Sequence, residues 1–188
     1  MKGQSGTSST GKFTINTMDS TSDGICSVYT TKDFTFESGT LVINSGDTTS
    51  TKGTGGIGAG RNVTINNGSV TVNVCDKDSA STTTSAVGIN AGYLGSGNVV
   101  VGVEGDTRDD VSLTVNVYNS ENSSVSSAIA VGASSTATGS TGSFIAYSGT
   151  INLYSAKNTI QIFTANGTID APTSKFVNSN VNEVSTKI

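Results

Sequence analysis

Short runs of alternating apolar and polar residues recur along this chain in three classes, in a fixed order. One class reads "GKFTIN" (Gly11–Asn16) and returns as "GTLVIN" (Gly39–Asn44), "GSVTVN" (Gly68–Asn73), "VSLTVN" (Val111–Asn116) and "GTINLY" (Gly149–Tyr154). A second, just upstream, reads "DFTFESG" (Asp33–Gly39), "NVTINNG" (Asn62–Gly68), "NVVVGVE" (Asn98–Glu104) and "SFIAYSG" (Ser143–Gly149), with "TIDA" (Thr168–Ala171) following. The third lies between them: "DGICS" (Asp23–Ser27), "GGIGAG" (Gly55–Gly60), "VGINAG" (Val87–Gly92), "IAVGAS" (Ile129–Ser134) and "IQIFTA" (Ile160–Ala165). Alternation at period two is the signature of a strand with one face buried. A sandwich of hairpins requires no fixed rotation of three strand classes, whereas a stack of coils does.

The expectation is therefore an all-β chain folded as a parallel β-helix (β-solenoid), about five coils of three short strands; the alternative is a β-sandwich whose strands resemble one another by coincidence. Coils stack about 4.8 Å apart, so like residues form columns. Phe34, Val63, Val99 and Phe144 make one expected core column; Leu41, Val70, Leu113 and Ile151 another; Ile25, Ile57, Ile89, Val131 and Ile162 a third. Gly39, Gly68 and Gly149 mark a corner that calls for positive φ. Asn16, Asn44, Asn73 and Asn116 share a column that Tyr154 breaks, and stacked amides can hydrogen-bond along such a column. The boundaries read as 1–10, a disordered or linker start; 11–171, the β-helix; and 172–188, a C-terminal cap or tail.

Composition narrows the function. The chain has 188 residues, only 13% of them charged, a net charge of −4, and a single proline, Pro172. It carries no basic footprint for nucleic acid and no apolar run long enough to span a membrane. "MKGQSGTSSTG" has no signal-peptide core, yet a Ser/Thr/Asn/Gly-rich β chain suits an extracellular or cell-surface protein, with neighbouring domains in a longer chain. There is no histidine, which removes the commonest general base and leaves oxygen donors for any metal. Cys26 and Cys75 are expected to be unpaired: two rungs separate them by roughly 9.6 Å along the axis, beyond disulfide reach.

Loops between the second and third strands, such as "SGDTTSTKGTG" (Ser45–Gly55) and "CDKDSASTTTSA" (Cys75–Ala86), should gather on one flank, where repeat proteins bind. The densest acidic cluster is Glu104, Asp106, Asp109 and Asp110. Its carboxylates are candidates for calcium, against the plainer reading of a solvated turn partly neutralised by Arg108. Glycan binding calls for exposed aromatic faces beside amides. Alternation points Tyr147 and Tyr154 outward, and Tyr93 and Tyr118 fall in loops; ordinary packing is the competing account. Catalysis is not expected, because glycoside hydrolysis needs two carboxylates about 5–9.5 Å apart across a groove, and no strand face repeats such a pair. Outward threonines (Thr35 and Thr64; Thr14, Thr71 and Thr114) are too irregular for an ice-binding array.

Runs such as "GGIGAGRNVTINNGSVTVNV" and "SAVGINAG", separated by Ser/Thr/Asp loops, resemble the repeats of bacterial extracellular carbohydrate-binding domain-containing β-helix proteins, over about Gly11–Ala171. That resemblance implies a right-handed β-helix, calcium, and an acidic polysaccharide ligand. Family repeats often begin "DGI"; Asp23-Gly24-Ile25 keeps the acid, while Gly55 and Val87 lose it, which weakens the carry-over of family-type calcium sites. The functional expectation is an extracellular, non-catalytic module that binds polysaccharide, with or without calcium. The alternative is a structural, adhesin-like solenoid module of a bacterial surface protein with no small ligand.

Overall fold

A computed structural model of the chain describes residues 11–21, 25–48, 53–75, 85–118, 128–133, 139–155, 162–164, 166–176 and 184–186. Segment 1–10, expected as a linker start, lies outside them, as do most of the long loops after the "TVN"-type runs.

In chain order the strands are Lys12–Asn16 (β1), Ile25–Thr30 (β2), Phe34–Phe36 (β3), Thr40–Ser45 (β4), Thr54–Ala59 (β5), Val63–Ile65 (β6), Gly68–Val74 (β7), Ala86–Ala91 (β8), Val99–Val101 (β9), Val111–Val117 (β10), Ala128–Ala133 (β11), Phe144–Ala146 (β12), Thr150–Ser155 (β13), Ile162–Thr164 (β14), Ile169–Asp170 (β15) and Val184–Thr186 (β16). They form three sheets, ordered β1-β4-β7-β10-β13, β16-β14-β11-β8-β5-β2 and β15-β12-β9-β6-β3. Every pairing is parallel. From β1 to β15 the chain visits the three sheets in strict rotation, so each strand pairs with the strand three places later. Helical structure among the described residues is one short 3-10 turn, Thr173–Lys175, and none of their helices is long and apolar enough to cross a membrane.

Register follows the sequence columns closely. Phe34, Val63, Val99 and Phe144 pair in succession, as do Leu41, Val70, Leu113 and Ile151. Side chains two residues further on (Ile43, Val72, Val115 and Leu153) repeat the stacking, and all of them lie in one core shared by the three sheets. Full burial of such a side chain stabilises by about 1.5–3 kcal/mol, so the cohesion of the stack is distributed over many equivalent layers. Phe13 pairs with Leu41 yet is half exposed, because among the described residues β1 has a strand partner on one side only.

The third column differs from expectation at one position. Ile57, Ile89, Val131 and Ile162 stack as expected, but Val28, not Ile25, stands opposite Ile57; Ile25 stands opposite Thr54. The cause is a break in alternation. Burial along β8 runs buried, half-buried, buried, buried, half-buried, buried. Two consecutive side chains therefore face inward, the first small (Ser27, Gly56, Gly88) and the second large (Val28, Ile57, Ile89). Aligning the "GI" of "DGICS" with the other Gly-Ile pairs slips that strand by three residues.

The corner between the two shorter-loop sheets has the anticipated conformation, with φ of 104° at Gly39, 82° at Gly68 and 90° at Gly149. A Cβ on Gly68 would run into the backbone of Gly39 at the equivalent corner beside it, so the glycines also permit close stacking. In the coil with the 103–110 insertion, Val111 takes this place opposite Gly68. After β15 the chain extends the same stack: Phe176 bridges to Ile151, its ring lies 6.2 Å from that of Phe144, and β16 pairs with β14. Cys26 and Cys75 are thiols and form no disulfide.

Candidate functional site

Alternation in the sheet containing β1, β4, β7, β10 and β13 sends Leu, Ile and Val inward and leaves an asparagine as the last outward residue of successive strands. These asparagines are joined in one direction. Asn44 Nδ2 donates to Asn16 Oδ1 at 2.7 Å, Asn73 Nδ2 to Asn44 Oδ1 at 2.8 Å, and Asn116 Nδ2 to Asn73 Oδ1 at 2.9 Å. Each bond polarises the next. The row remains half-exposed, apart from the more exposed Asn16 at its edge. An amide has two N–H groups and two lone pairs on oxygen, so each central asparagine keeps one donor and one acceptor site beyond the row.

In register with Asn116 stands Tyr154, half exposed. Its ring lies 5.7 Å from that of Tyr118, tilted by 45°. The Tyr118 hydroxyl is pushed above the usual phenol value, first by burial and then by the neighbouring Tyr154, so it stays protonated and able to donate at physiological pH.

Alongside the row runs a groove of about 400 Å³, lined by Asn16, Asn44 and Asn73 together with Asp19, Cys75 and Tyr118. The backbone closes tightly beneath it. A Cβ on Gly46 would lie 2.6 Å from Asp19 Oδ1, and Cys75 adopts a left-handed φ of 66°. Asp19 Oδ1 accepts the Asp47 N–H at 2.8 Å, tying the segment after β1 to the segment after β4. At the bend below, Thr17 Oγ1, Ser27 Oγ and Ser45 Oγ are linked in sequence, and Ser45 Oγ donates to the Gly55 carbonyl at 2.9 Å. This groove lies where the loops 49–52, 76–84 and 119–127 depart; those loops, with Asp76 and Asp78, lie outside the described residues.

The four tyrosines singled out from sequence divide between places. Tyr118 and Tyr154 meet at the end of the asparagine row. Tyr93 instead packs 5.0 Å from Tyr29, with its hydroxyl buried and without a partner. Tyr147 is exposed at the corner after β12.

The acidic cluster separates in the same way. Asp106 takes a two-pronged contact from Arg108, with Nε at 3.0 Å and Nη2 at 2.7 Å. That pairing, with the Arg108 backbone N–H, holds the Asp106 carboxyl down at about 2. Asp109 accepts the Gly149 N–H at 3.0 Å and pairs with Lys175; both lower its pKa, the backbone bond more. Asp110 accepts from Asn67 Nδ2 at 3.3 Å, and Glu104 is exposed. Among the described residues no three acidic or thiol groups converge as a metal site would require.

The sequence showed the asparagine column and its capacity for hydrogen bonds along the stack, which the structure contains; its outward direction and Asp19 were overlooked. The signal was available, since each asparagine falls one residue after an inward Ile or Val. Comparison with protein-family models, with curated proteins and with solved structures finds no match to this chain.

Proposed function

We propose that this chain is an extracellular, non-catalytic polysaccharide-binding module, wound as a right-handed parallel β-helix of about five coils. The winding is supported by the strict rotation of strands among three parallel sheets around one core. Right-handed crossovers between parallel strands of a sheet are the strong rule. The binding reading rests on one observation: an outward row of amides ends on the Tyr118–Tyr154 pair and borders a groove. Amides exchange hydrogen bonds with sugar hydroxyls, and aromatic faces cover the apolar faces of sugar rings. Among the described residues Asp19 is the single carboxylate lining the groove, whereas glycoside hydrolysis calls for a pair. Calcium assistance is the weaker form of the proposal, because Asp106 and Asp109 already face Arg108 and Lys175.

A screen of neutral and acidic glycans, followed by calorimetry with and without chelator, tests this reading. Binding without product release is expected, together with loss of binding in Tyr118→Ala and unchanged circular dichroism. If no glycan binds in either condition, the chain is instead a structural or adhesive module of a surface protein.

A further inference from the structure

The asparagine row has a direction, a spacing and an end, and together they describe a ligand. Asn16, Asn44, Asn73, Asn116 and Tyr154 occupy one outward column across five neighbouring strands. Four strand spacings carry that column over roughly 19 Å. Its hydrogen bonds all run one way, so a donor is left over at Asn16 and an acceptor at Asn116. At the acceptor end Tyr154 replaces the amide with an exposed aromatic face.

Resting on the polysaccharide-binding reading, we infer that this column seats an extended, neutral glycan chain running parallel to the stacking axis, one sugar per strand, with a terminal ring against Tyr154. The strand repeat sets the register. An extended β-linked glycan advances per sugar by on the order of 5 Å, close to the spacing between adjacent strands. Each successive sugar therefore meets an identical amide, whose remaining N–H and lone pair match a hydroxyl that both donates and accepts. The charge of the site selects the class. Among the described residues Asp19 is the only charged one lining the groove, the whole chain is net negative, and like-charge contact disfavours a uronate polymer.

A functional row differs from a merely structural ladder in what happens at Tyr154. If the column only stabilised the coils, an asparagine there would complete it by donating to Asn116 Oδ1, offsetting the lost ring contact with Tyr118, and glycan binding would be unaffected. If the column seats a glycan, Tyr154→Asn keeps or raises thermal stability and weakens binding about tenfold.

The test is calorimetry of the intact chain against cello-oligosaccharides from disaccharide to octasaccharide, with oligogalacturonates as the acidic comparison, each with and without chelator. Affinity should climb with each sugar up to about five, then level off, and chelator should have no effect. Tyr154→Asn should cost more for the pentasaccharide than for the disaccharide while retaining its melting temperature. Affinity that is flat with length, or unaffected by Tyr154→Asn, overturns the axial seating and leaves polysaccharide binding in place. Chelator-sensitive binding of galacturonates with the neutral series silent overturns the ligand class alone. Failure of every glycan removes both this inference and the function on which it rests.

Discussion

Two adjacent glycines in β5 should respond to the same substitution with opposite signs. Gly55 and Gly56 lie on opposite sides of the strand. A Cβ on Gly55 would sit 3.5 Å from the Val87 carbonyl, an ordinary contact. A Cβ on Gly56 would overlap Cγ1 of Val72 and lie 2.6 Å from the Gly88 carbonyl oxygen. The valine belongs to the facing sheet and the carbonyl to the neighbouring strand, so relief requires moving packed core or paired backbone. Overpacking of this kind costs about 1–3 kcal/mol, against a gain of about 0.4–1 kcal/mol from restricting the unfolded chain. Gly56→Ala should therefore destabilise by about 1 kcal/mol net, lowering the melting temperature by roughly 2–4 °C for a chain of this size. Neither glycine has positive φ, so Gly55→Ala keeps only the favourable contribution and should raise the melting temperature by about 1–4 °C. Thermal denaturation followed by circular dichroism reads both. Shortening Val72 should return part of the Gly56→Ala loss, but not the part owed to the Gly88 carbonyl. Equal effects at the two positions, or the reverse signs, would refute the assigned register, since a one-residue slip exchanges the two faces of a strand.

Asn73 makes two bonds within the amide row and Asn16 makes one. Asn73→Ala should lower stability by about 1–2 kcal/mol in chemical denaturation and Asn16→Ala by less than about half of that; equal losses would contradict a connected row. Asp109 ties the insertion to the Gly149 corner and to Lys175. Asp109→Ala should therefore speed tryptic cleavage after Lys175 at neutral pH. Because the folded chain lowers the Asp109 pKa, its contribution is complete above the unfolded value of about 4 and disappears as pH falls through the lower folded value. The stability gap between variant and parent should accordingly narrow as pH falls below the unfolded value of about 4, and a gap that stays constant with falling pH would count against this linkage.

Much of the architecture was legible from the chain alone, for a physical reason. Parallel stacking in register places like residues on like, so the rotation of three strand classes, two of the three core columns, the corner glycines and the asparagine column are all local patterns repeated. Alternation determines inside from outside wherever it is unbroken, as in β7 and β10. It fails where two consecutive residues turn inward, and only the packing of the facing sheet shows that Val28 rather than Ile25 fills that column. The site divides along the same line. That Tyr154 breaks a column of asparagines is visible in sequence, but its contact with Tyr118 depends on the pairing of β10 with β13, which sets the residue after β10 beside Tyr154. Neutralisation by Arg108 was legible two residues from Asp106, but the contacts of Asp109 with Gly149 and Lys175 and of Asp110 with Asn67 were not. Nearness in sequence puts charges on one loop, whereas their direction is set by partners up to 66 residues away, and only the folded chain brings those partners within reach.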